Sequence, residues 1–275
     1  MRSRSNKPEE TEQFFQTTLS SYGVNIGFRA ELKDGLSSFE RFLPFGCKRS
    51  QAKKLDRIYS VSKEASGKFK LYADARKVSE SYEIEDIFLR FQSHSQLFIA
   101  AHTHQKAFIH AGVVAIGAQA ILIPGRSYAG KTTLVAEFIK AGAVYYSDEY
   151  AVLDQMGRVH PYPKPLSLRN KITGEQRDIA ADRLGAQTGL APLPVGVILI
   201  TKYKNGAKWK AKEVGSCEGI KALAMNSVSI RRAPESALRS IARAASGSLV
   251  LKSQRGDARH LVKDVMSNFH EWIQK

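Results

Sequence analysis

The sequence predicts an α/β fold in which a phosphate-binding loop joins a buried strand to an amphipathic helix, preceded by a small β-rich region. Three observations carry this. Gly125-Arg126-Ser127-Tyr128-Ala129-Gly130-Lys131-Thr132 satisfies the pattern G-x-x-x-x-G-K-[ST]. The apolar run Ala120-Ile121-Leu122-Ile123 precedes it, and Thr133 to Ile139 continues as a helix with an apolar stripe. Before residue 100 the chain instead shows short alternating patterns separated by turn residues.

The opening residues 1–12 are charged and lack an apolar signal-like core, so they read as a solvated tail. Residues 13–103 form the β-rich region, of unassigned role. Stretches 24–32, 57–62 and 68–73, with a turn at Ser66-Gly67, predict strands of an antiparallel unit. Apolar residues from Ile84 to Phe98 fall at mostly helical spacing and predict a helix over 84–102. Residues 104–275 form the loop-bearing domain. Strands are expected at 107–109, 113–116, 120–123, 144–147, 151–154, 195–203, 209–214 and 248–253. Helices are expected at 131–141, 217–225, 234–245 and 258–272.

With 43% hydrophobic residues the chain can bury a substantial core. The apolar stretch 107–125 is interrupted by His110 and a turn at 117–119, which favours buried strands over a membrane span. Only Cys47 and Cys217 are present. They exclude a disulfide framework or cysteine zinc site, read as ordinary packing residues, and fit a reducing, cytoplasmic compartment. The net charge of +16 favours anionic partners, with 15 Lys and Arg against six Asp and Glu from residue 200 onward. Those charges are scattered without aromatic stacking residues, so a solvated face is at least as good a reading as a nucleic-acid surface. A homo-oligomer is compatible with the composition.

A glycine-rich loop entering a helix lets the main chain approach phosphate, and the helix N-terminus supplies unpaired NH groups and positive potential. The expected nucleotide-binding set is Gly125, Arg126, Ser127, Tyr128, Ala129, Gly130, Lys131, Thr132 and Thr133. Lys131 would reach the β and γ phosphates of ATP, and Thr132 would give its hydroxyl to Mg²⁺. Asp148-Glu149 follows the apolar strand 144–147, 17 residues after Lys131, a spacing that accommodates one helix and a return strand. This is a Walker B-like placement: one carboxylate holds Mg²⁺ and its neighbour accepts a proton from an attacking hydroxyl. His110, lying between apolar segments, reads on spacing alone as a core histidine. His102, His104 and His160 have no evident partner.

From about residue 105 to 170 the chain resembles the bacterial HPr serine kinase/phosphorylase family and its HprK-like relatives, whose nucleotide fold is related to that of PEP carboxykinase. Phe108-Ile109-His110-Ala111-Gly112-Val113-Val114 looks like the family's strand with an active-site histidine. Gly125 to Thr132 looks like its P-loop, and Ser147-Asp148-Glu149 like its acidic pair. Val159-His160-Pro161-Tyr162-Pro163-Lys164-Pro165-Leu166-Ser167-Leu168-Arg169 looks like a segment of the HprK-like relatives rather than of the HPr kinases proper. Tyr128 stands where the family usually has Gly, and no Arg-Gly-Leu-Gly stretch follows the acidic pair. The resemblance implies catalytic roles for His110, Lys131, Asp148 and Glu149, with metal assigned to Thr132 and Asp148 and the base to Glu149; the two acids can also be exchanged. It implies an ATP-dependent kinase acting on a hydroxyl, a serine of a protein or peptide, with Lys164 and Arg169 as weaker candidates for attracting an acidic acceptor. The competing reading is a nucleotide-dependent binding module for nucleic acid or another anionic partner; a scaffold without catalysis is disfavoured by the intact Lys131, Thr132, Asp148 and Glu149.

Overall fold

The computed structural model describes residues 15–31, 36–125, 129–169 and 175–274. The chain divides into two compact units, the first ending at Ile99 and the second running from Ala100.

In the first unit, β1 (Phe15–Ser21), β2 (Val24–Ala30), β3 (Lys48–Arg49), β4 (Arg57–Lys63), β5 (Phe69–Ala73) and β6 (Arg76–Ser81) form one sheet in the order β3-β1-β2-β4-β5-β6. Helix α1 (Ile84–His102) carries Ile87, Phe88, Phe91 and Phe98 at helical spacing and buries them with Phe28, Phe39 and Tyr59. The sheet is mixed rather than antiparallel, because β2 and β4 pair in parallel. No hairpin joins these two strands: residues 31–56 intervene, and a connection of that length permits the parallel sense. Cys47 packs against this core, where burial pushes its thiol up to about 11.

The second unit is a helix–sheet–helix sandwich. Its strands are β7 (Lys106–Ile116), β8 (Gln119–Pro124), β9 (Val144–Ser147), β10 (Tyr150–Asp154), β11 (Val159–His160), β14 (Val195–Tyr203), β15 (Lys212–Val214) and β16 (Leu249–Arg255). Between β11 and β14, β12 (Leu166–Arg169) and β13 (Gln176–Ile179) make a separate ribbon. The main sheet runs β11-β10-β7-β8-β14-β16-β15, with β9 also on β7. Strands β8, β14 and β16 are parallel. Both their faces are covered, as in other parallel sheets. Ile121, Ile123, Val197 and Leu251 pack with α2 (Lys131–Lys140) and α5 (Ala258–Gln274). Ala120, Leu122, Ile198 and Val250 pack on the other side with α3 (Ser216–Met225) and α4 (Pro234–Ser246). Cys217 is exposed on α3 and is not a packing residue. Among the described residues no helix is long and apolar enough to cross a membrane.

The two strands expected at 107–109 and 113–116 are one continuous strand, β7, which passes through His110. It pairs with β8 along one edge and with β9 and β10 along the other. Both faces of its middle are covered too, and there the glycine at 112 has a specific use. A Cβ on Gly112 would lie 2.6 Å from Cγ2 of Val135 and 3.8 Å from Cβ of Lys131. The missing side chain is therefore what lets the first turns of α2 sit against β7.

Gly112→Ala is expected to lower unfolding stability by about 1–3 kcal/mol through overpacking. Adding Val135→Ala should recover part of the loss by vacating the colliding methyl. Urea melts of the two variants decide it: equal stability losses would show that Val135 is not the constraint.

Candidate active site

The site is assembled on the middle of β7. The Gly125 NH, just beyond β8, donates to the His110 carbonyl at 3.1 Å. On the opposite edge the Ala111 NH donates to the Glu149 carbonyl at 3.2 Å. Both neighbours are thereby held to consecutive residues of one strand, with the start of α2 over Gly112.

β9 and β10 lie along the same edge of β7, Ser147 opposite Val113 and Tyr150 opposite His110. Asp148 and Glu149 form the interruption between them. The fully buried Ser147 shapes it: its hydroxyl accepts the NH of Glu149 at 3.2 Å and of Tyr150 at 3.0 Å. This local side-chain bonding replaces ladder bonds and turns the two acids out of the strand.

Gly130 is left-handed, with φ 80° and ψ 22°, directly before α2. Glycine adopts that conformation without a steric penalty. A Cβ there would also run into the Arg255 guanidinium. Lys131 and Thr132 open α2 half-buried, whereas Thr133 is exposed. The first turn of α2 carries no acidic residue and the cap no side-chain bond, which leaves this helix start suited to an anion. Arg126, Ser127 and Tyr128 lie outside the described residues.

Burial raises the Asp148 carboxyl to about 6, against bonds from the Thr132 hydroxyl and the Ser167 NH and the charge of Lys131, which lower it. Its Oδ1 is buried and has no hydrogen-bond partner among the described residues. Burial also lowers the pKa of Lys131, and the charges of Asp148 and Glu149 act the other way. His110 is held below the usual imidazole range, first by burial and then by Lys131, with Glu149 opposing. Its ring lies against Tyr150, centroids 4.8 Å apart. The structure thus brings His110, Gly125, Lys131, Thr132, Asp148 and Glu149 together.

Lys164 is not a solvated surface residue: its Nζ lies 2.6 Å from Oε2 of Glu149. The segment leading to it is fixed along β9, since the Tyr162 NH donates to the Tyr146 carbonyl and the Tyr145 hydroxyl to the Lys164 carbonyl. Arg169 ends β12. His160 does have a partner, the Asp154 carboxylate, at 3.0 Å. Arg255 was not expected here. It ends β16, two strands from β8 in the parallel set, so its side chain reaches the loop from the same carboxyl edge of the sheet. Nothing around it in sequence marks it, because the contact spans 125 residues.

Among the described residues no group of three or more His, Cys, Asp or Glu side chains could hold a metal. Thr132 and Asp148 instead offer a hydroxyl and a carboxylate, the sparse oxygen set that suits Mg²⁺ shared with phosphates and water.

No family model matches this chain, and no curated protein matches it. Among solved structures it is similar to the Hpr(Ser) kinase/phosphatase of Coxiella burnetii. The identity is 12% and the TM-score 0.37, over 61% of this chain and 99% of that one. At that level the similarity identifies neither substrate nor reaction.

The raised Asp148 carboxyl makes a signed prediction. A folded-state value of about 6 against the ordinary 3.8 means the folded protein holds this proton more tightly than the unfolded chain. Stability from this group is therefore present below about pH 4 and is lost as pH rises to about 6. Asp148→Asn should stabilise the ligand-free protein by about 3 kcal/mol at pH 8 and by almost nothing at pH 4. Urea melts at the two pH values measure this, and a pH-independent effect would contradict it.

Proposed function

We propose that residues 104–275 form an HprK-like, PEP carboxykinase-related P-loop kinase domain that binds ATP with Mg²⁺ and transfers the γ-phosphoryl group to a hydroxyl. The acceptor class we propose is serine in a protein or peptide. The observation that carries the reading is the half-buried Asp148 carboxyl beside Thr132 and Lys131 at the start of α2, whose Oδ1 is buried and unbonded among the described residues. That oxygen has lost its water and found no bond among the described residues, which supports a role in holding a cation carried in by a bound phosphate.

The NH groups at the start of α2 and the Lys131 ammonium hold the phosphates. Thr132 and Asp148 would hold Mg²⁺, which when bound supplies neutralisation of the phosphate charge. The acceptor oxygen bonds to the γ phosphorus as the bond to the β-bridging oxygen breaks, ADP departs, and the hydroxyl proton passes to Glu149. Lys164 orients that carboxylate through their ion pair. His110, held below the usual imidazole range by burial and by Lys131, favours its neutral form and so adds no charge beside the lysine. The division of labour between the acids follows their partners: Thr132 stands at Asp148 and Lys164 at Glu149.

The test is transfer from γ-labelled ATP with Mg²⁺ to a panel of serine peptides and cell extract. Glu149→Gln is expected to keep Mg-ATP binding and lower transfer by roughly 10²–10⁴-fold. Lys131→Ala should nearly abolish ATP binding while the fold survives. ATP that binds without any transfer, but changes affinity for nucleic acid, would replace the kinase reading with a nucleotide-dependent binding module. Unchanged ATP affinity in Lys131→Ala would remove the P-loop assignment itself.

A further inference from the structure

Arg255 is only 3% exposed, yet no carboxylate pairs with it among the described residues. The nearest candidate in sequence, Asp257, is engaged by Arg259. The Arg255 guanidinium instead donates to three carbonyls: Nη2 to Gly130 at 3.0 Å and to Ala129 at 3.5 Å, and Nη1 to Gly256 at 3.3 Å. Its Nε is buried and has no partner among the described residues, and the Tyr203 ring lies 5.6 Å away. A buried guanidinium cannot shed its proton, so a full positive charge sits behind Ala129 and Gly130 without a counter-ion among the described residues.

The peptide geometry says what that charge does. In a trans peptide the carbonyl and the next residue's NH point in opposite directions. A cation bonded to the Ala129 and Gly130 carbonyls therefore polarises the NH groups of Gly130 and Lys131, which point away from it. Hydrogen bonds linked through a peptide strengthen one another, most of all where one end is charged. We infer that Arg255 is a positioning residue of the phosphate site, a second cation beside Lys131 that acts through two loop peptides and finds its counter-charge in a bound polyphosphate.

This inference rests on the nucleotide-site reading of the preceding section, and binding to the wild-type protein tests that reading separately. The decisive variant is Arg255→Gln, which retains an NH donor for the carbonyls and removes the charge. ATP, inorganic tripolyphosphate and AMP are titrated calorimetrically into wild type, Arg255→Gln and Arg255→Lys, and each protein is melted with and without ATP. The expected result is that Arg255→Gln melts, without ligand, at or above the wild-type temperature. It should bind ATP and tripolyphosphate about 10- to 100-fold more weakly, with AMP changed far less. Arg255→Lys, which keeps the charge, should bind ATP more tightly than Arg255→Gln. A lower melting temperature of ligand-free Arg255→Gln, or its failure to fold, would make Arg255 a scaffold residue and overturn the inference. Unchanged ATP affinity in a folded Arg255→Gln, an equal loss for AMP and ATP, or Arg255→Lys no better than Arg255→Gln would overturn it as well. Wild type that binds neither ATP nor tripolyphosphate would instead dispose of the nucleotide-site reading.

Discussion

The second unit depends on what is paired with the three residues His110, Ala111 and Gly112. Gly125 is tied to the carbonyl of the first, Glu149 to the NH of the second, and α2 fits over the third because no Cβ stands in its way. Three segments far apart in sequence are thus referred to one short piece of backbone. Strand backbone buried on both faces is the stiffest reference a fold offers, since shifting it by one residue would exchange both cores at once. Gly125, the helix start and the acidic pair are placed by main-chain bonds and packing, with little left to side-chain flexibility.

This placement is electrostatically costly for the ligand-free protein. Asp148 resists ionisation, Lys131 resists protonation, and Arg255 keeps a buried charge with its Nε unbonded among the described residues. Each is an unfavourable term that another arrangement of the same residues would avoid. Sites that hold donors and charges in advance of a ligand show this pattern, because the binding partner then finds its hydrogen bonds already oriented. The opposing charges of Asp148 and Lys131 offset part of the cost. The guanidinium, backed by carbonyl dipoles and the Tyr203 ring, has no carboxylate offset among the described side chains.

Much of this was legible in the sequence where the signal is local. Helix 84–102 and strands 144–147 and 195–203 follow apolar spacing and bound themselves, and their ends agree with the structure. Strand β7 was split in expectation because His110, Ala111 and Gly112 break the apolar run; small residues and a ring lying on Tyr150 satisfy burial there without large aliphatic groups. Strand β6 was overlooked because it is an edge strand with polar residues on both faces, and β1 because Gln, Thr and Ser dominate it. The parallel pairing of β2 with β4 is set by a long connection that carries no pattern of its own. For the site, the loop and the acids were visible as motifs, whereas the partners of Lys164 and Arg255 arise from tertiary folding. A lysine among prolines and an arginine at a strand end look alike in sequence whether they meet water, a carboxylate or a loop.

The acidic pair shows how adjacent identical chemistry becomes two different groups. Asp148 and Glu149 share a net charge, a sheet edge and the turn closed by Ser147. Asp148 meets the Thr132 hydroxyl and the Ser167 NH and has its Oδ1 buried; Glu149 meets the Lys164 ammonium and keeps a third of its side chain exposed. The difference is produced by direction: a two-residue interruption in a strand sends successive side chains to different neighbours, one to the helix start and the other to the segment fixed along β9. A single aspartate or glutamate at the end of an unbroken strand would have to hold a cation and accept a proton in one environment, and a group bound to a dication is a poor base. By stopping the ladder for two residues, the Ser147 hydroxyl gives the two carboxylates separate surroundings within one turn of chain, as the two roles proposed for them require.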